Sequence, residues 1–387
     1  MEMQGLVTMA SNEWRNRPPE ESKGSIRAAL AESEAWEHGS REVIRDLSRY
    51  RVQASGEDLI LGSGFGHGRA VPSYHAFGQL AGTVAAPASY LRRLPATLAA
   101  QNLNHGLAKL TEKRVLFYLA PRASDTSTFS IVSLNSERYD RVPNSIPLRA
   151  ALALESHGWK VPPAWSDGPG ARPATDADVF PGTLVKVGDM IGPAGVYVRT
   201  GENMFVIQVN PTADVEGLFT FSILWNDLTG KRTLGGVRGL IDFICGNHLL
   251  WGLREGSVSV FKAIHRDGQA SKLAQYLSSD YVTFASSSGD PTADYRVIVA
   301  AKALELGKDK GTTVEAVMSK RIPTLTKEIT EAAFDQAEES GRYGSPATLW
   351  GMLNGLTEVS QRKPDFESRL AVDVAVGKLV DAFVGRF

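Results

Sequence analysis

The spacing of apolar residues changes near residue 268, and this change limits which folds the chain can adopt. Before it, short apolar or alternating runs separated by turn residues predict β-strands interleaved with helices. After it, residues 269–387 carry helical spacing almost throughout, and helix starts are expected at Pro291, Pro323 and Pro346. The sequence therefore predicts an α+β fold, with a β-rich core, packed helices and a C-terminal helical region.

The first half of the chain alternates predicted helices and strands. Pro87 and Pro95 each fit the first turn of a new helix, so the helical run that begins at Ser73 is expected to be broken. Helices are predicted at Ser25–Trp36, Arg41–Tyr50, Ser73–Leu110 with breaks, and Ile146–Glu155. Strands are predicted within 51–61 around a turn at Ser55-Gly56, at Val115–Leu119, and at Phe129–Leu134.

The segment from Gly195 to Ile264 is expected to be a second strand-rich unit. One helix interrupts it, from Leu234 to about Leu250, because Ile241, Ile244 and Cys245 have helical spacing. The strands are predicted at Gly195–Val198, Met204–Val209, Leu218–Trp225 and Ser257–Ile264.

Composition along the chain suggests five segments. Residues 161–183 are rich in Pro, Gly, Asp and Ala, which is typical of a linker or a long surface loop. The predicted segments are a polar N-terminal arm at 1–50, a first α+β unit at 51–160, the linker at 161–183, a second α+β unit at 184–275, and a helical region at 276–387.

Bulk composition excludes several classes of protein. The net charge is −1 at pH 7, which rules out a uniformly basic coat but allows a local basic face. Cys245 is the single cysteine, so neither an intramolecular disulfide nor a multi-cysteine zinc site can form. No secretory signal or membrane-spanning run is apparent. We expect a cytoplasmic protein of a bacterium or an infected host cell, without a cofactor and without a membrane partner.

Two stretches concentrate basic residues and predict a split surface for a polyanion. Residues 89–120 carry one acid, Glu112, and residues 226–275 carry four. The predicted nucleic-acid contacts are Arg92, Arg93, Lys109, Lys113, Arg114, Arg238, Arg254, Lys262, His265 and Arg266, and Lys231, Arg232 and Lys272 belong to the same stretches. Aromatic residues close in sequence could stack on unpaired bases: Tyr90, Phe117, Tyr118, Trp225, Trp251 and Phe261. The alternative is that the cations form surface ion pairs and the aromatic rings lie in the core.

Other constellations are less specific. The GSGFGHG run at 62–68 could contact a phosphate through its amides, but it lacks the lysine of a nucleotide-binding loop. Asp227, Asp242 and Asp267 could hold a divalent metal in a nuclease, although their spacing does not require it. We expect Cys245 to be a buried structural thiol, and we expect Trp350–Leu356 to pack within a helical bundle or at a subunit interface.

Several short motifs follow one another in a set order along residues 50–275. They are Ala76-Phe77-Gly78-Gln79-Leu80-Ala81, Tyr90-Leu91-Arg92-Arg93-Leu94-Pro95, Asn102-Leu103-Asn104, Ser136-Glu137-Arg138-Tyr139, Cys245-Gly246-Asn247 and His265-Arg266-Asp267-Gly268. In this order the chain resembles the phage- and plasmid-borne family called domain of unknown function 932. It departs from the family pattern before Cys245, where Ile241 or Asp242 replaces an arginine and Arg238 is the nearest substitute.

The resemblance implies a phage or prophage protein. The chain also has a remote similarity to phage single-strand annealing proteins, which serves as an analogy only. With the charge pattern, it leads to the hypothesis of a homo-oligomeric DNA-metabolism protein. This protein would bind single-stranded DNA and promote strand annealing in recombination without nucleotide hydrolysis. The alternative is a non-enzymatic phage interaction protein, either a host-defence inhibitor or an assembly component. A metal-dependent nuclease is the third class.

Overall fold

The computed structural model describes residues 23–62, 69–122, 125–161, 164–165, 172–173, 190–192, 196–215, 218–242, 249–251, 259–263, 265, 268–286, 299–341, 344–361 and 366–384. Within these residues the chain forms two six-stranded sheets, a small three-stranded sheet and helices packed against the larger sheets. The fold is α+β, as the sequence predicted. No helix in these ranges is long and apolar enough to cross a membrane.

The described chain begins with helix α1 (Ile26–Gly39), which matches the predicted helix at Ser25–Trp36. The Ser25 side chain caps it by accepting the Ala28 N–H at 3.1 Å. The second predicted helix, Arg41–Tyr50, is wrong. Strand β1 (Arg41–Asp46) occupies this segment and is followed by one 3₁₀ turn at Leu47–Arg49, because β1 pairs along its whole length with a distant strand.

The first sheet contains six strands, all within residues 41–135. They are β1, β2 (Val52–Ser55), β3 (Asp58–Leu61), β4 (Arg69–Pro72), β5 (Arg114–Arg122) and β6 (Asp125–Asn135). Their spatial order is β1-β5-β6-β4-β3-β2, with β4 and β6 parallel and the other neighbours antiparallel. The strand pair predicted within 51–61 and the two strands predicted around residues 115–134 are confirmed.

Three helices cover one face of this sheet: α2 (Tyr74–Thr83), α3 (Ala88–Leu91) and α4 (Ala96–Leu107). They begin where the sequence predicted, after the capping residue Ser73 and after Pro87 and Pro95. Their buried residues pack against alternate positions of β5, namely Val115, Phe117 and Leu119. This layer, from Tyr74 to Leu107, will be called the helical layer.

Helix α5 (Ser145–Leu154) follows the first sheet and confirms the helix predicted at Ile146–Glu155. Three very short strands come next: β7 (Ala164–Trp165), β8 (Arg172–Pro173) and β9 (Met190–Gly192), in the order β7-β9-β8. The first two lie in the Pro/Gly-rich segment at 161–183 that we expected to be a linker. Most of that segment is outside the described residues.

The second sheet contains β10 (Val196–Arg199), β11 (Asn203–Val215), β12 (Leu218–Asp227), β13 (Leu234–Asp242), β14 (Leu249–Trp251) and β15 (Ser259–Ala263). The order is β10-β11-β12-β13-β14, with β15 also paired to β13. Helices α1, α5, α6 (Gln269–Ser279) and α7 (Tyr281–Ser286) pack on one face through a shared apolar core. The strands predicted around 195–225 and 257–264 are confirmed.

The helix predicted from Leu234 to about Leu250 is wrong. Residues 234–242 form β13, which lies inside the second sheet. Its residues from Gly235 to Asp242 pair with β12. Cys245, which we expected on the apolar side of that helix, lies outside the described residues. Pairing with strands on both sides outweighs the local helical spacing of the apolar residues.

The two large sheets meet through α1 and the turn that joins β12 to β13. Trp36 of α1 packs with Tyr118, Val132 and Leu228 on the face of the first sheet opposite the helical layer. Its indole nitrogen donates to the Tyr118 hydroxyl at 3.1 Å. The buried guanidinium of Arg141 also spans this junction, which we call the sheet junction.

The C-terminal region is helical, as predicted, with α8 (Lys310–Met318), α9 (Lys327–Ser340), α10 (Leu349–Gln361) and α11 (Phe366–Val384). Apolar residues from positions 301–384 form a core of their own. Helices α9 and α10 approach so closely at Gly355 that a Cβ on this residue would overlap the backbone carbonyl of Ala333. The residues around Trp350 therefore pack within this bundle.

Candidate nucleic-acid interface

Arg92 lies over the ring of an exposed tyrosine, Tyr74. The guanidinium carbon is 3.6 Å from the ring centroid, and Nη2 donates to the Tyr74 backbone carbonyl at 2.7 Å. Tyr74 occupies the first turn of α2 and is 77% exposed, whereas Arg92 ends α3. Because both contacts restrain the guanidinium, the pair presents a fixed positive charge beside an aromatic surface.

The turn between β12 and β13 brings the second basic stretch to the same end of α2. His75, the residue after Tyr74, lies close enough to the Thr229 backbone and to Lys231 for both to affect its pKa. Asn135, at the end of β6, donates to the Thr229 carbonyl at 3.0 Å and so fixes the turn on the first sheet. Burial first, and the Lys231 ammonium second, lower the pKa of His75 below its ordinary value.

Parts of the two basic stretches therefore lie on adjoining sides of one helix. Consecutive helical residues point about 100° apart, so the contacts made by Tyr74 and His75 are neighbours around α2. Lys231 pairs with Glu202 at 3.8 Å, and it is exposed, as is Arg232. The exposed cationic and aromatic residues here are Tyr74, Tyr90, Arg92, Arg93, Lys231 and Arg232, and we name them the Tyr74 surface.

The shortage of acidic residues in the first basic stretch begins well before that stretch. Residues 59–111 contain no aspartate or glutamate, whereas the whole chain of 387 residues carries 43. This stretch builds β4 and the entire helical layer. A layer that supplies no carboxylates of its own repels phosphates less, so a few cations suffice to make it attractive to a polyanion.

Helix α4 presents one exposed side and one buried side. Ala99, Ala100, Leu103 and Leu107 face the first sheet and are buried. The residues on the opposite side are exposed and none is acidic: Thr97, Leu98, Gln101, Asn102 and His105, with Lys109 just beyond the end of the helix. Their spacing of three and four residues makes this a continuous surface along the helix, here called the outer side of α4.

The remaining cations of the first stretch lie beyond the far end of α4. Lys109, Lys113 and Arg114 are exposed, and Arg114 pairs with Glu137 at 3.3 Å. The twelve residues of α4 separate this far group from Arg92 and Arg93 by about 18 Å, at 1.5 Å per residue. The structure thus places the five cations predicted in residues 89–120 in two groups, at opposite ends of one helix.

Arg238 and His265 are buried rather than presented on this surface. Arg238 is 7% exposed and lies 5.9 Å from the Phe284 ring, between β13 and α7, where burial lowers its pKa. The Leu234 N–H donates to Nε2 of His265 at 3.1 Å, and the ring stacks on Tyr139. Both side chains serve the packing of the second sheet, contrary to our expectation of phosphate contacts.

The structure does not describe the side chains of three other residues that were predicted to contact nucleic acid. Arg254 and Arg266 lie outside the described residues, and so do residues 63–68 of the glycine-rich run. Lys262 lies in β15 opposite Gly235, and the structure describes its backbone. Of the predicted stacking aromatics, Tyr90 is half exposed, whereas Phe117, Tyr118 and Trp225 are core residues.

The acidic residues proposed for a nuclease do not converge. Asp227 ends β12, whereas Asp242 pairs with Leu218 at the opposite end of that strand. At about 3.3 Å per residue the two lie roughly 30 Å apart. The Asp227 carboxylate accepts the N–H and hydroxyl of Thr229, at 2.7 and 2.5 Å, as part of a turn. Within the described residues no group of three metal-ligating side chains forms, and Asp267 lies outside them.

Polar residues of the motifs that occur in order along residues 50–275 bond to the backbone of neighbouring elements. Gln79 accepts the Leu134 N–H at 2.7 Å and so joins α2 to β6. The Tyr139 hydroxyl donates to the Asp227 carbonyl at 3.3 Å. Gln79 and Tyr139 therefore hold the scaffold together, whereas Tyr90, Arg92 and Arg93 of the motif at 90–95 are exposed on the Tyr74 surface.

Comparison of the chain with protein-family models, curated proteins and solved structures finds no match.

Proposed function

We propose that the Tyr74 surface binds single-stranded nucleic acid, and that the protein acts in phage or prophage DNA metabolism by promoting strand annealing without nucleotide hydrolysis. The observation that carries this proposal is the contact of Arg92 with exposed Tyr74, on a layer whose sequence has no carboxylates. The resemblance to a phage-borne family supports the cellular setting.

The chemistry of the surface suits an unpaired strand. Arginine neutralises phosphate and releases condensed counterions, whereas an exposed aromatic ring stacks on a base. Tyr74 and Tyr90 supply two such rings, and Arg92, Arg93, Lys231 and Arg232 supply the charge. In a duplex the faces of the bases are already stacked, so these rings favour single strands.

Strand annealing requires the protein to bind and align strands, and it requires no chemical catalysis. It would hold the backbone of one strand so that the bases stay open to a complementary strand, and self-assembly would align neighbouring segments. No bond is made or broken in this scheme, and no nucleotide or metal is needed. The scattered positions of Asp227 and Asp242 fit a binding protein better than a nuclease.

The first experiment is binding of a fluorescent oligonucleotide, single-stranded and duplex, across a salt titration, with particle mass recorded in the same samples. We expect tighter binding of the single strand, with a log–log salt slope of about −0.7 per phosphate contact. Arg92→Glu with Arg93→Glu should abolish most of the binding, and Tyr74→Ala should reduce the preference for single strands.

Arg27→Glu is the matched control, because Arg27 is an exposed arginine on α1, away from this surface. It should bind like the wild type. Equal binding by the wild type and the Arg92/Arg93 variant would remove the Tyr74 surface from the proposal. Absence of any binding at low salt would overturn the function and direct the search to protein partners, the other class that the sequence left open.

A further inference from the structure

The outer side of α4 joins the two groups of cations. It starts beside Arg92 and Arg93 at the end of α3 and finishes at His105, and Lys109 and Lys113 follow beyond the end of the helix. Its exposed residues are neutral amides, a histidine, a threonine and Leu98, which is 45% exposed. No acidic residue occurs along the helix.

We infer that one single strand lies lengthwise along α4, with its backbone anchored at Arg92 and Arg93 at one end and at Lys109 and Lys113 at the other. This inference rests on the proposed function and adds the path of the strand. Asn102 and His105 lie midway, where amide and imidazole groups can donate hydrogen bonds to phosphate or base edges.

The length of the helix sets the length of the bound segment. The span of about 18 Å along α4 corresponds to at most about five nucleotides at a rise of 3.4 Å per nucleotide. A more extended strand covers the same span with fewer nucleotides. A site of about five nucleotides lies at the lower end of the roughly 4–16 nucleotides that other single-strand-binding folds occupy.

The alternative geometry is two strands, one at each group of cations, and it makes a different prediction. With one strand, both groups contribute to one complex, so loss of either group weakens the same binding event. With two strands, loss of the far group removes one bound oligonucleotide and leaves the affinity of the other unchanged.

The test compares a thymidine oligomer of about six nucleotides, just longer than this span, on the full-length wild type and on Lys109→Glu with Lys113→Glu. We expect one oligomer per protein chain in both, roughly ten-fold weaker binding by the variant, and a salt slope shallower by about 1.4, which is two phosphate contacts at 0.7 each. Lys327→Glu, an exposed lysine on α9, is the control and should bind like the wild type.

A second variant tests the middle of the path. Gln101→Glu with His105→Glu places two carboxylates on the outer side of α4 and should weaken binding several-fold by repelling phosphate. Gln53→Glu with His157→Glu makes the same changes at exposed sites elsewhere and should have no effect.

The outcomes separate the path from the function. Two oligomers per chain, falling to one in the lysine variant, would overturn the single path. So would binding that depends on Arg92 and Arg93 but is unchanged in both α4 variants, and in that case the proposed function would stand. If the wild type binds no oligomer at low salt, both are wrong.

Discussion

The side-chain amide of Asn104 bonds to both backbone polar groups of Val52. The Val52 N–H donates to Oδ1 and Nδ2 donates to the Val52 carbonyl, each at 2.8 Å. Val52 begins β2, which is the last strand at one edge of the first sheet. One side chain of α4 thus gives this edge the pair of hydrogen bonds that a further strand would supply, which limits edge-to-edge association.

Replacing Asn104 should destabilise the first sheet. Asn104→Leu leaves the N–H and the carbonyl of Val52 without these partners, and we expect a loss of about 1–3 kcal/mol in the free energy of unfolding. Asn102→Ala is the control, because the Asn102 amide bonds to the Leu98 carbonyl on the exposed side of α4. Urea denaturation followed by circular dichroism measures both, and equal losses would show that the edge contact has no special role.

Gly355→Ala should destabilise the C-terminal bundle by at least about 2 kcal/mol, because the new methyl group overlaps the Ala333 backbone and α9 must move. Gly82→Ala in α2 is the opposite case. Nothing lies within 4 Å of a Cβ there, so we expect a gain of ~0.5–1 kcal/mol from reduced freedom of the unfolded chain. Thermal denaturation of the two variants should therefore shift in opposite directions.

Arg141 should be the most sensitive polar residue of the sheet junction. Its guanidinium pairs with Glu42, donates to the Leu228 carbonyl at 3.0 Å and to the Ser133 hydroxyl at 3.1 Å, and lies 3.9 Å from the Tyr118 ring. We expect Arg141→Met to cost about 3 kcal/mol, the lower end for breaking a buried pair, because Glu42 remains partly exposed.

Arg141→Lys keeps the charge but cannot reproduce the fork of donors, so it should recover a minority of the lost stability. Denaturant unfolding of both variants measures this. If the lysine variant is as stable as the wild type, charge alone accounts for the role of Arg141.

His265 should make the protein less stable in mild acid. Burial is the main cause that lowers its pKa in the folded state, so the folded protein resists protonation. An unfolded histidine takes up a proton near pH 6.5. The stabilisation from the neutral ring is therefore complete above about pH 6.5 and declines as the pH falls toward the lowered folded pKa.

His265→Gln retains an acceptor for the Leu234 N–H and cannot be protonated, so it should flatten the fall in stability below pH 6.5. His157→Gln, at an exposed histidine, is the control. The free energy of unfolding between pH 7.5 and 5 is the measurement, and an unchanged slope in the His265 variant would contradict the assignment. His75, whose pKa is also lowered, should contribute a residual slope of the same sign.

Local signals in the sequence predicted much of the fold. Proline at 87 and 95, the cap at Ser73 and the helical stripes after residue 300 each act within a few residues, so their consequences are readable without the tertiary structure. The two wrong helices are both strands of large sheets. Val43 and Ile44 favour extended chain in β1, and the glycines of β13 disfavour a helix. The strands that pair with β1 and β13 and so decide their structure lie far away in sequence.

The candidate site was only partly predictable, for a similar reason. Arg92 could be singled out from local charge, but its contact with Tyr74 spans eighteen residues and depends on how α3 follows α2. The meeting of His75 with the turn at Thr229 depends on the docking of two sheets. Arg238 was misjudged because its neighbours in sequence do not reveal that α7 covers it.

The sheet junction also bears on how the chain can be divided. The Pro/Gly-rich segment at 161–183 looks like the natural place to cut, and a fragment ending there keeps all six strands of the first sheet. That fragment would lose Leu228 from the apolar contact with Trp36 and Tyr118, and Asn135 would lose the carbonyl of Thr229. An expression strategy for the N-terminal half therefore has to include the strands up to β13, or else replace the apolar surface that the β12–β13 turn now covers.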